Sequence, residues 1–363
     1  MPPDREGSAT EEAGAAGTQA VEPRAQRAPA STRAAAALGV ALRAREAGLL
    51  AALALVVIVV GVQEPRFLHG GNIEEILLSV AILAIVATGQ TVVVLTRNID
   101  LSVGSMVGLS AFVAGDLLKR NPGLSVVAVV ALVCALGLAM GAVNGALVAV
   151  GRVPSIVATL GTLYVFRGIA NAVGGSTEVS AGDLPSGFTN IATAKVLGVP
   201  ILIVLMVAAI ATFAYLLRFT RWGRQLYAIG SNPDAARLSG IRSDRAVFGA
   251  FVVLGLLCGL AGVLWSARFA GANARTATGF ELVVIAAVVV GGVNVFGGSG
   301  TVLGAALGAL LLGAVQNGLL LLRVSSFWLQ AVYGAVILIA VTLDALLTRR
   351  LERRRAPTRA GAT

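Results

Sequence analysis

The chain has 363 residues, of which 57% are hydrophobic and only 13% are charged. A soluble domain carries roughly a quarter charged residues, so this composition excludes a water-covered globular protein and predicts that most of the chain faces lipid or other apolar helices. The net charge of +10 would suit a nucleic-acid-binding protein, but such proteins rarely contain several apolar segments of membrane-spanning length, and nucleic acid is not an expected partner.

Three regions follow one another along the chain. Residues 1–45 are rich in Ala, Pro, Arg and Glu without an apolar stripe and predict a disordered basic tail. Residues 46–348 form the transmembrane region, and residues 349–363 form a second basic tail. Within the transmembrane region, apolar stretches approach the roughly 20 residues that a helix needs to cross the hydrocarbon core. They lie at 46–62, 73–95, 101–118, 124–150, 155–173, 196–217, 246–267, 280–296, 301–322 and 327–347. The expected fold class is therefore an all-α polytopic membrane protein with about ten transmembrane helices, broken helices being an alternative around 96–105 and 291–304.

The distribution of arginine predicts the orientation. An even number of crossings returns both termini to the same side, and because basic residues accumulate on the cytoplasmic side, both arginine-rich ends are expected there. Residues 218–245, which contain six arginines, then also lie in the cytoplasm, whereas the polar loop 174–195 lies outside with Lys195 as its only base. Further basic residues that fall on the outer side and oppose the rule are Lys119, Arg120, Arg268 and Arg275.

Glycine spacing and a repeated sequence pattern bear on how the helices pack. Glycines recur every four residues within the spans, which lets helix backbones approach closely, and general packing is favoured over a specific dimer motif. They include Gly137, Gly141, Gly145, Gly255, Gly259, Gly304 and Gly308.

Residues 141–155 and 313–325 share an Asn, Gly, Leu and Arg-Val pattern but run in opposite directions across the membrane. A 5+5 inverted repeat would produce such a pair, and so would coincidence in a low-complexity alphabet.

Catalytic motifs are missing from the sequence. A Walker loop needs Gly-Lys-Ser/Thr, but the only lysines, Lys119 and Lys195, lie in other contexts, and His69 is the single histidine. The chain is therefore not expected to be an enzyme or to bind a cofactor itself. Its carboxylates mostly lie at predicted span ends, which disfavours ion coupling through a buried acid. Sodium binding by backbone carbonyls of a broken helix keeps an ion-coupled secondary transporter or channel as an alternative.

Two segments are too polar to be ordinary connections. In Thr96–Ser110, the oxygens of Asn98, Asp100 and Ser102 precede an apolar helical run, where they either cap free amides or line the path of a polar solute. In Arg221–Ile241, a turn with Ser231 or Asn232 as N-cap and Pro233 as first helical residue predicts a short helix that stops at Gly240. A helix capped at both ends favours a docking element over a passive connector.

Four ordered blocks in these regions resemble the permease subunits of bacterial ABC importers of the ribose, xylose, galactose, rhamnose and autoinducer-2 type. The blocks read NIDLSVGSMVGL (98–109), VPSIVATLGTLYVFRGIA (153–170), GRQLYAIGSNPDAARLSGI (223–241) and IAAVVVGGVNVFGGSGTVLGAALGALLLGAVQNGL (285–319). The likeness runs from about Gly48 to Asp344. The chain departs from the family pattern in having Arg97-Asn98 before Ile99, where Gly-Gly is usual, and the bulky pair Val295-Phe296.

The resemblance implies a function as well as partners. It implies an inner-membrane subunit that imports a monosaccharide or similar small polar solute, a second permease copy, an ATP-binding subunit on the cytoplasmic face that uses ATP and Mg, and an extracytoplasmic solute-binding protein. ABC permeases for branched-chain amino acids share the broader fold and are a further alternative. The implied ATPase-coupling residues are Gly223, Arg224, Gly230, Asn232, Pro233, Asp234, Ala235, Ala236, Arg237 and Gly240. The implied substrate-pathway residues are Asn98, Asp100, Ser102, Gly104 and Ser105.

Overall fold

The computed structural model describes residues 30–175 and 178–325, together with six isolated positions between 328 and 342. The chain divides into two compact units, residues 1–41 and 42–363. Of the first unit, the described part is the beginning of a helix that starts at Ala30 rather than at the predicted residue 46. The C-terminal tail 349–363 and most of the predicted span 327–347 lie outside the described residues.

The described residues are almost entirely helical. The α-helices are α1 (Ala30–Gln63), α2 (Gly70–Val94), α3 (Val103–Arg120), α4 (Val126–Gly145), α5 (Ser155–Gly174), α6 (Ser186–Thr193), α7 (Ile201–Phe219), α8 (Arg221–Ser231), α9 (Pro233–Leu238), α10 (Ser243–Phe269), α11 (Phe280–Val290) and α12 (Val302–Leu321). Helix α4 continues as a π-helix over Ala146–Val150, and short 3-10 helices occupy Pro65–Leu68 and Ala181–Asp183. Strands β1 (Lys195–Val196) and β2 (Val199–Pro200) form an antiparallel hairpin with Val196 opposite Val199.

Six helices in the described part of the chain are long and apolar enough to cross a membrane. They are α2, α4 with its π-helical extension, α5, α7, α10 and α12. All six coincide with predicted spans, which confirms a polytopic helical membrane protein. The sixth predicted span begins with the β1–β2 hairpin, because Gly198 (φ +83°) turns the chain there. Helix α11 ends at Val290, and residues 291–301 form a loop where Gly, Asn and Ser interrupt the apolar pattern.

Helix α2 forms the centre of the second unit. It contacts α7, α10, α11 and α12, and nearly all its residues after Glu75 are buried. Its sequence explains this position, because a helix that is apolar all round has no side to offer to water. The end of α2 is therefore held firmly by the surrounding helices.

The four-residue glycine spacing creates one close helix crossing. Gly137 and Gly141 of α4 meet Gly255 and Gly259 of α10 with backbone against backbone. A Cβ atom at Gly141 would lie 2.9 Å from Gly255 Cα, so a larger residue would have to push the helices apart. In a membrane, such proximity supplies the dispersion contact that replaces hydrophobic drive. The packing prediction is confirmed at this crossing.

Candidate functional site

Helix α8 turns the chain sharply away from α7. The hydroxyl of Thr220 accepts a hydrogen bond from the Gly223 amide (3.1 Å) and caps α8. Gly223 is buried against the carbonyl groups of Leu216 and Leu217, where no side chain fits. Arg224 is exposed and donates to the Phe219 carbonyl oxygen (3.2 Å). Of the two predicted coupling residues here, Gly223 builds the corner and Arg224 braces its outer side.

Helix α9 begins as the sequence predicts. The side-chain oxygen of Asn232 accepts hydrogen bonds from the amides of Asp234 (3.2 Å) and Ala235 (3.0 Å), which identifies Asn232 as the N-cap. Pro233 occupies the first turn, where its missing N–H is not needed. Asp234 also lies in that turn, beside the positive end of the helix dipole.

Helix α9 also ends at the predicted residue. Gly240 has φ +76°, and its amide donates to the Arg237 carbonyl oxygen (2.9 Å), while the next amide, of Ile241, donates to the Ala236 carbonyl oxygen (3.1 Å). This pair of bonds satisfies the last carbonyl groups of a helix that ends in a left-handed glycine. Six residues with both ends fixed by hydrogen bonds form a rigid projection.

The direction of the α9 side chains differs from the residue set predicted for docking. Ala236 is only 3% exposed and faces the body of the protein, whereas Leu238 is 90% exposed. Asp234, Ala235 and Arg237 are also exposed. The outward surface of α9 therefore centres on Leu238, which the sequence analysis did not include, because a six-residue helix is too short to show which face its residues occupy.

The end of α8 is joined directly to the end of α2 through Arg97. Arg97 donates from Nε to the Gly230 carbonyl oxygen (2.7 Å) and from Nη2 to the Ser231 carbonyl oxygen (3.0 Å). Its backbone has φ +67°, a conformation in which a long side chain is uncommon. The guanidinium thereby satisfies carbonyl groups that the end of α8 leaves free.

The loop that follows α11 completes this contact. The Gly298 amide donates to the Leu95 carbonyl oxygen (3.0 Å), and the Tyr227 hydroxyl of α8 donates to the Gly300 carbonyl oxygen (2.8 Å). Burial raises the pKa of Tyr227, so the hydroxyl keeps the proton that it donates. Gly230 and Gly298 lie in backbone contact. We call the meeting point of residues 95–97, 227–231 and 297–300 the three-way junction.

The segment after Arg97 leads into a fully buried polar cluster. Asp100 Oδ1 accepts from the Ser102 amide (2.7 Å) and the Ser102 hydroxyl (2.6 Å), and Asp100 Oδ2 accepts from Asn144 Nδ2 of α4 (2.9 Å). All three side chains are 0% exposed. The sequence analysis missed Asn144, whose only signal is an amide inside an apolar run.

The capping expectation for this segment is wrong in two of its three residues. Ser102 precedes α3, but its side chain makes no cap hydrogen bond to that helix. Asn98 donates to the Thr96 carbonyl oxygen (3.1 Å) and to the Thr96 hydroxyl (2.9 Å) instead of accepting from an amide. Asp100 does accept a backbone amide, although one that precedes α3. The cause is local, since a short polar side chain close to its own backbone competes with capping.

The remaining predicted pathway residues are also enclosed. The Ser105 hydroxyl donates to the Ser102 carbonyl oxygen (2.8 Å), and Gly104 is buried beside Glu281 and the Ala277 carbonyl. Of the five predicted pathway residues, only Asn98 is partly exposed. In this arrangement the polar segment is sealed inside the subunit, and its role in passage of a solute stays a prediction.

Helix α5 holds the same segment from the other side. The Ile99 amide donates to the Ser155 hydroxyl (3.3 Å), and the Leu101 amide donates to the Thr159 hydroxyl (3.0 Å). Hydroxyl groups near the start of α5 thus satisfy backbone amides that no helix pairs. Residues 96–102 are therefore a fixed connection between the three-way junction, α4 and α5.

The fold and these contacts describe a membrane-embedded helix bundle with a rigid helical projection at one face, and comparison with known proteins assigns its class. Residues 72–341 match the family described as branched-chain amino acid transport system, permease component. This match covers well over half of the chain, so the chain belongs to that family of transport-system permeases.

Its individual relatives are import permeases. The chain is 40% identical over 299 residues to the ribose import permease protein RbsC of Escherichia coli K12, which covers 81% of this chain and 92% of the relative. It is 37% identical over 309 residues to the autoinducer 2 import system permease protein LsrC of Shigella flexneri, covering 85% and 89% of the two chains. The ribose import permease of Haemophilus influenzae is 37% identical over 303 residues, covering 83% and 93%. No solved structure matches the chain.

Proposed function

We propose that this chain is the transmembrane permease subunit of an ATP-binding-cassette importer that carries a monosaccharide or similar small polar solute into a bacterial cell. The observation that carries the proposal is α9, a helix with both ends fixed that presents Leu238 outward and is connected through the three-way junction to the buried polar segment. Through this connection, a movement of α9 displaces the polar segment inside the membrane-spanning part of the chain.

Energy enters through a partner in this proposal. The chain contains no Walker loop, so ATP and Mg are used by an ATP-binding subunit, and Leu238 fits into an apolar recess of that subunit. When the ATPases close, α9 and α8 move together, and Arg97 moves residues 96–102 with them. The enclosed polar segment then opens toward an extracytoplasmic solute-binding protein, and hydrolysis restores the closed state. A second permease copy provides the other half of the path.

The charges of the described residues support an orientation with α8 and α9 in the cytoplasm. Three basic residues that opposed the positive-inside rule are paired with carboxylates: Lys119 with Asp183 (2.9 Å), Arg120 with Asp116 (2.8 Å) and Arg268 with Glu75. The rule counts Lys and Arg, and the six arginines of residues 218–245 outnumber these three outer bases. We place both termini in the cytoplasm, with about ten spans in the inner membrane.

The relatives and the chemistry of the polar segment support a sugar as solute. The relatives that we report act on ribose and autoinducer 2. The polar segment offers hydroxyl and amide groups, and a neutral polyol makes weak hydrogen bonds to such groups, which permit release. Recognition of an amino acid would call for groups that bind its ammonium and carboxylate, so a branched-chain amino acid is the less suitable cargo.

Buried Asp100 is the one observation that favours a different class of transporter. A carboxylate enclosed among membrane helices is the group that proton- or sodium-coupled transporters use. Here the carboxylate accepts three hydrogen bonds from Ser102 and Asn144, which is the pattern of a group that fixes local structure. An ion-driven carrier therefore remains the second candidate, and it makes a different prediction about the energy source.

The test compares energy sources in proteoliposomes. We expect the chain, reconstituted with an ATP-binding subunit and a solute-binding protein, to take up sugar only with ATP. Leu238→Asp should reduce both uptake and solute-stimulated ATP hydrolysis at least about tenfold, since it places a charge in an apolar recess. Leu197→Asp is the matched control, because Leu197 is also almost wholly exposed to solvent but lies in the β1–β2 turn. Uptake by the chain alone in an ion gradient would contradict the proposal.

A further inference from the structure

A second feature of the same face is a solvent-open cavity of about 780 Å³ bordered by four parts of the chain. Its walls are residues 96–98 after α2, the end of the π-helix with Arg152, Pro233 and Arg237 of α9, and the start of α10. Leu238 does not line it. The cavity is therefore distinct from the surface around Leu238, although exposed Arg237 of α9 borders it.

The cavity contains a large excess of positive charge. Among the described residues, five arginines line it, and Asp244 is the one acidic residue that does so. Arg97 is held by the α8 carbonyl groups, but the side chains of the other four make no ion pair or hydrogen bond with another described residue. These four are Arg152, Arg237, Arg242 and Arg245. These four residues are exposed to solvent, and their positive charge exceeds the negative charge of Asp244, so the cavity attracts an anion.

The start of α10 adds two independent groups that suit an anion. Arg242 precedes this 27-residue helix and supplies no side-chain cap, which leaves its first amides for other partners, while Asp244 in the first turn offsets part of the positive end of the helix dipole. Ser243 lines the cavity, and its hydroxyl is shielded from solvent and has no hydrogen-bond partner among the described residues. A buried hydroxyl without a partner is costly. Rotation about its χ1 angle would turn this hydroxyl toward a phosphate oxygen in the cavity.

One of the arginines has an unusual backbone conformation. Arg152 has φ +57°, which is unusual for a residue with a long side chain. It follows the π-helical extension of α4, in which Val148 and Ala149 form part of the apolar wall. Ile229, Ile241 and Val247 complete that wall. A site that is cationic on one side and apolar on the other suits an esterified phosphate better than a bare ion.

We propose that this cavity binds a phosphate ester, either the headgroup of an anionic phospholipid or a soluble organic phosphate. Arg152, Arg242 and Arg245 contact the phosphate, Ser243 donates to it, and the apolar wall contacts the esterified carbon groups. Because the ligand touches α9, α10 and residues 96–98 at once, it stabilises the closed arrangement of the three-way junction and regulates transport. The proposed function contributes only the placement of the cavity on the cytoplasmic side.

The test measures binding to the purified full chain without any partner subunit, so that its failure is distinct from failure of the importer proposal. The chain is placed in nanodiscs of phosphatidylcholine with and without phosphatidylglycerol, and bound lipid is counted by native mass spectrometry. In separate samples, glycerol 3-phosphate is titrated calorimetrically, with glycerol as the neutral control. Retention of phosphatidylglycerol identifies a lipid headgroup as ligand, and binding of glycerol 3-phosphate alone identifies a soluble ester.

Paired variants locate the binding. Arg152→Gln with Arg242→Gln should weaken binding of the effective probe at least about tenfold, since two charge-assisted hydrogen bonds are lost. Arg218→Gln with Arg221→Gln removes the same charge outside the cavity and should change binding less than about twofold. Arg242→Lys, which keeps the charge, shows that a loss is not misfolding.

Three results overturn the proposal. The first is that neither probe binds the unaltered chain. The second is that both double variants weaken binding equally, which indicates general surface charge. The third is that the cavity variant leaves both probes bound and instead loses the ATP-binding subunit on co-purification, which assigns the arginines to acidic side chains of that partner.

Discussion

Gly298 is the residue through which the three-way junction is most sharply tested. It has φ +74°, and its amide holds the Leu95 carbonyl. A Cβ atom at this position would lie 2.6 Å from the Ser231 nitrogen and 2.7 Å from the Ser231 Cα. Contact between non-bonded atoms begins at roughly 3.5 Å, so Gly298→Ala forces the loop and the end of α8 apart by about 0.8 Å.

The cost of this change has two parts. A left-handed alanine costs roughly 1–2 kcal/mol relative to glycine, and overpacking against backbone that cannot rotate away costs roughly 1–3 kcal/mol. We expect Gly298→Ala to lower the free energy of unfolding by about 2–5 kcal/mol in total. We also expect solute-stimulated ATP hydrolysis to fall at least about tenfold while basal hydrolysis persists, because separation of α8 from residues 95–97 breaks the connection between α9 and the polar segment.

Gly198→Ala is the control that separates these two parts. Gly198 has φ +83°, and no atom lies within 4 Å of its Cβ position, so it carries the left-handed cost without the overlap. The comparison uses thermal unfolding in detergent and coupled ATP hydrolysis in proteoliposomes. If Gly298→Ala matches Gly198→Ala in both assays, the reasoning about the junction is refuted.

Three further changes test the neighbouring contacts. Arg97→Ala removes two hydrogen bonds to carbonyl groups and should reduce solute uptake severalfold. Arg97→Gly should be about 1 kcal/mol more stable than Arg97→Ala in unfolding assays, because glycine adopts the left-handed backbone without strain. Equal stabilities of the two variants would contradict the strain argument. Gly141→Leu should destabilise the chain by at least about 1–3 kcal/mol and abolish its folded yield in membranes, since the leucine side chain meets the backbone at Gly255. A normal yield of folded protein in size-exclusion chromatography would disprove the close crossing of α4 and α10. Asp100→Asn turns an amide N–H₂ toward groups that already donate and should lower the free energy of unfolding by about 1–3 kcal/mol. Unchanged stability would show that the carboxylate does not fix the segment to Asn144.

Much of the helical framework follows from the sequence because hydropathy and caps are local properties. Runs of about 20 apolar residues leave no alternative to a helix in a medium that cannot hydrogen-bond the backbone. The caps of α9 were equally predictable, since Asn232, Pro233 and Gly240 each act on amides or carbonyls within a few residues. The number of spans and their orientation stay predictions.

The contacts that define the candidate site were not predictable in the same way. Asn144 finds Asp100 across 44 positions, and Arg97 reaches Gly230 across 133. Both residues carry polar groups that have several conceivable partners, and residue type alone does not select one. The inward Ala236 and outward Leu238 likewise depend on what α9 packs against.

The amino-acid sequence by itself determined that the chain crosses the membrane several times, that α4 and α10 carry glycine faces suited to close approach, and that a short capped helix lies between α7 and α10. Only the tertiary structure decided which glycine faces meet, that five arginines line one cavity and that the end of α8 is joined to the end of α2 through Arg97. The physical reason is the distance along the chain over which each interaction acts. Caps and apolar runs act within one or two helical turns, whereas a buried polar group or a guanidinium must find its partner in a distant segment that only packing brings near.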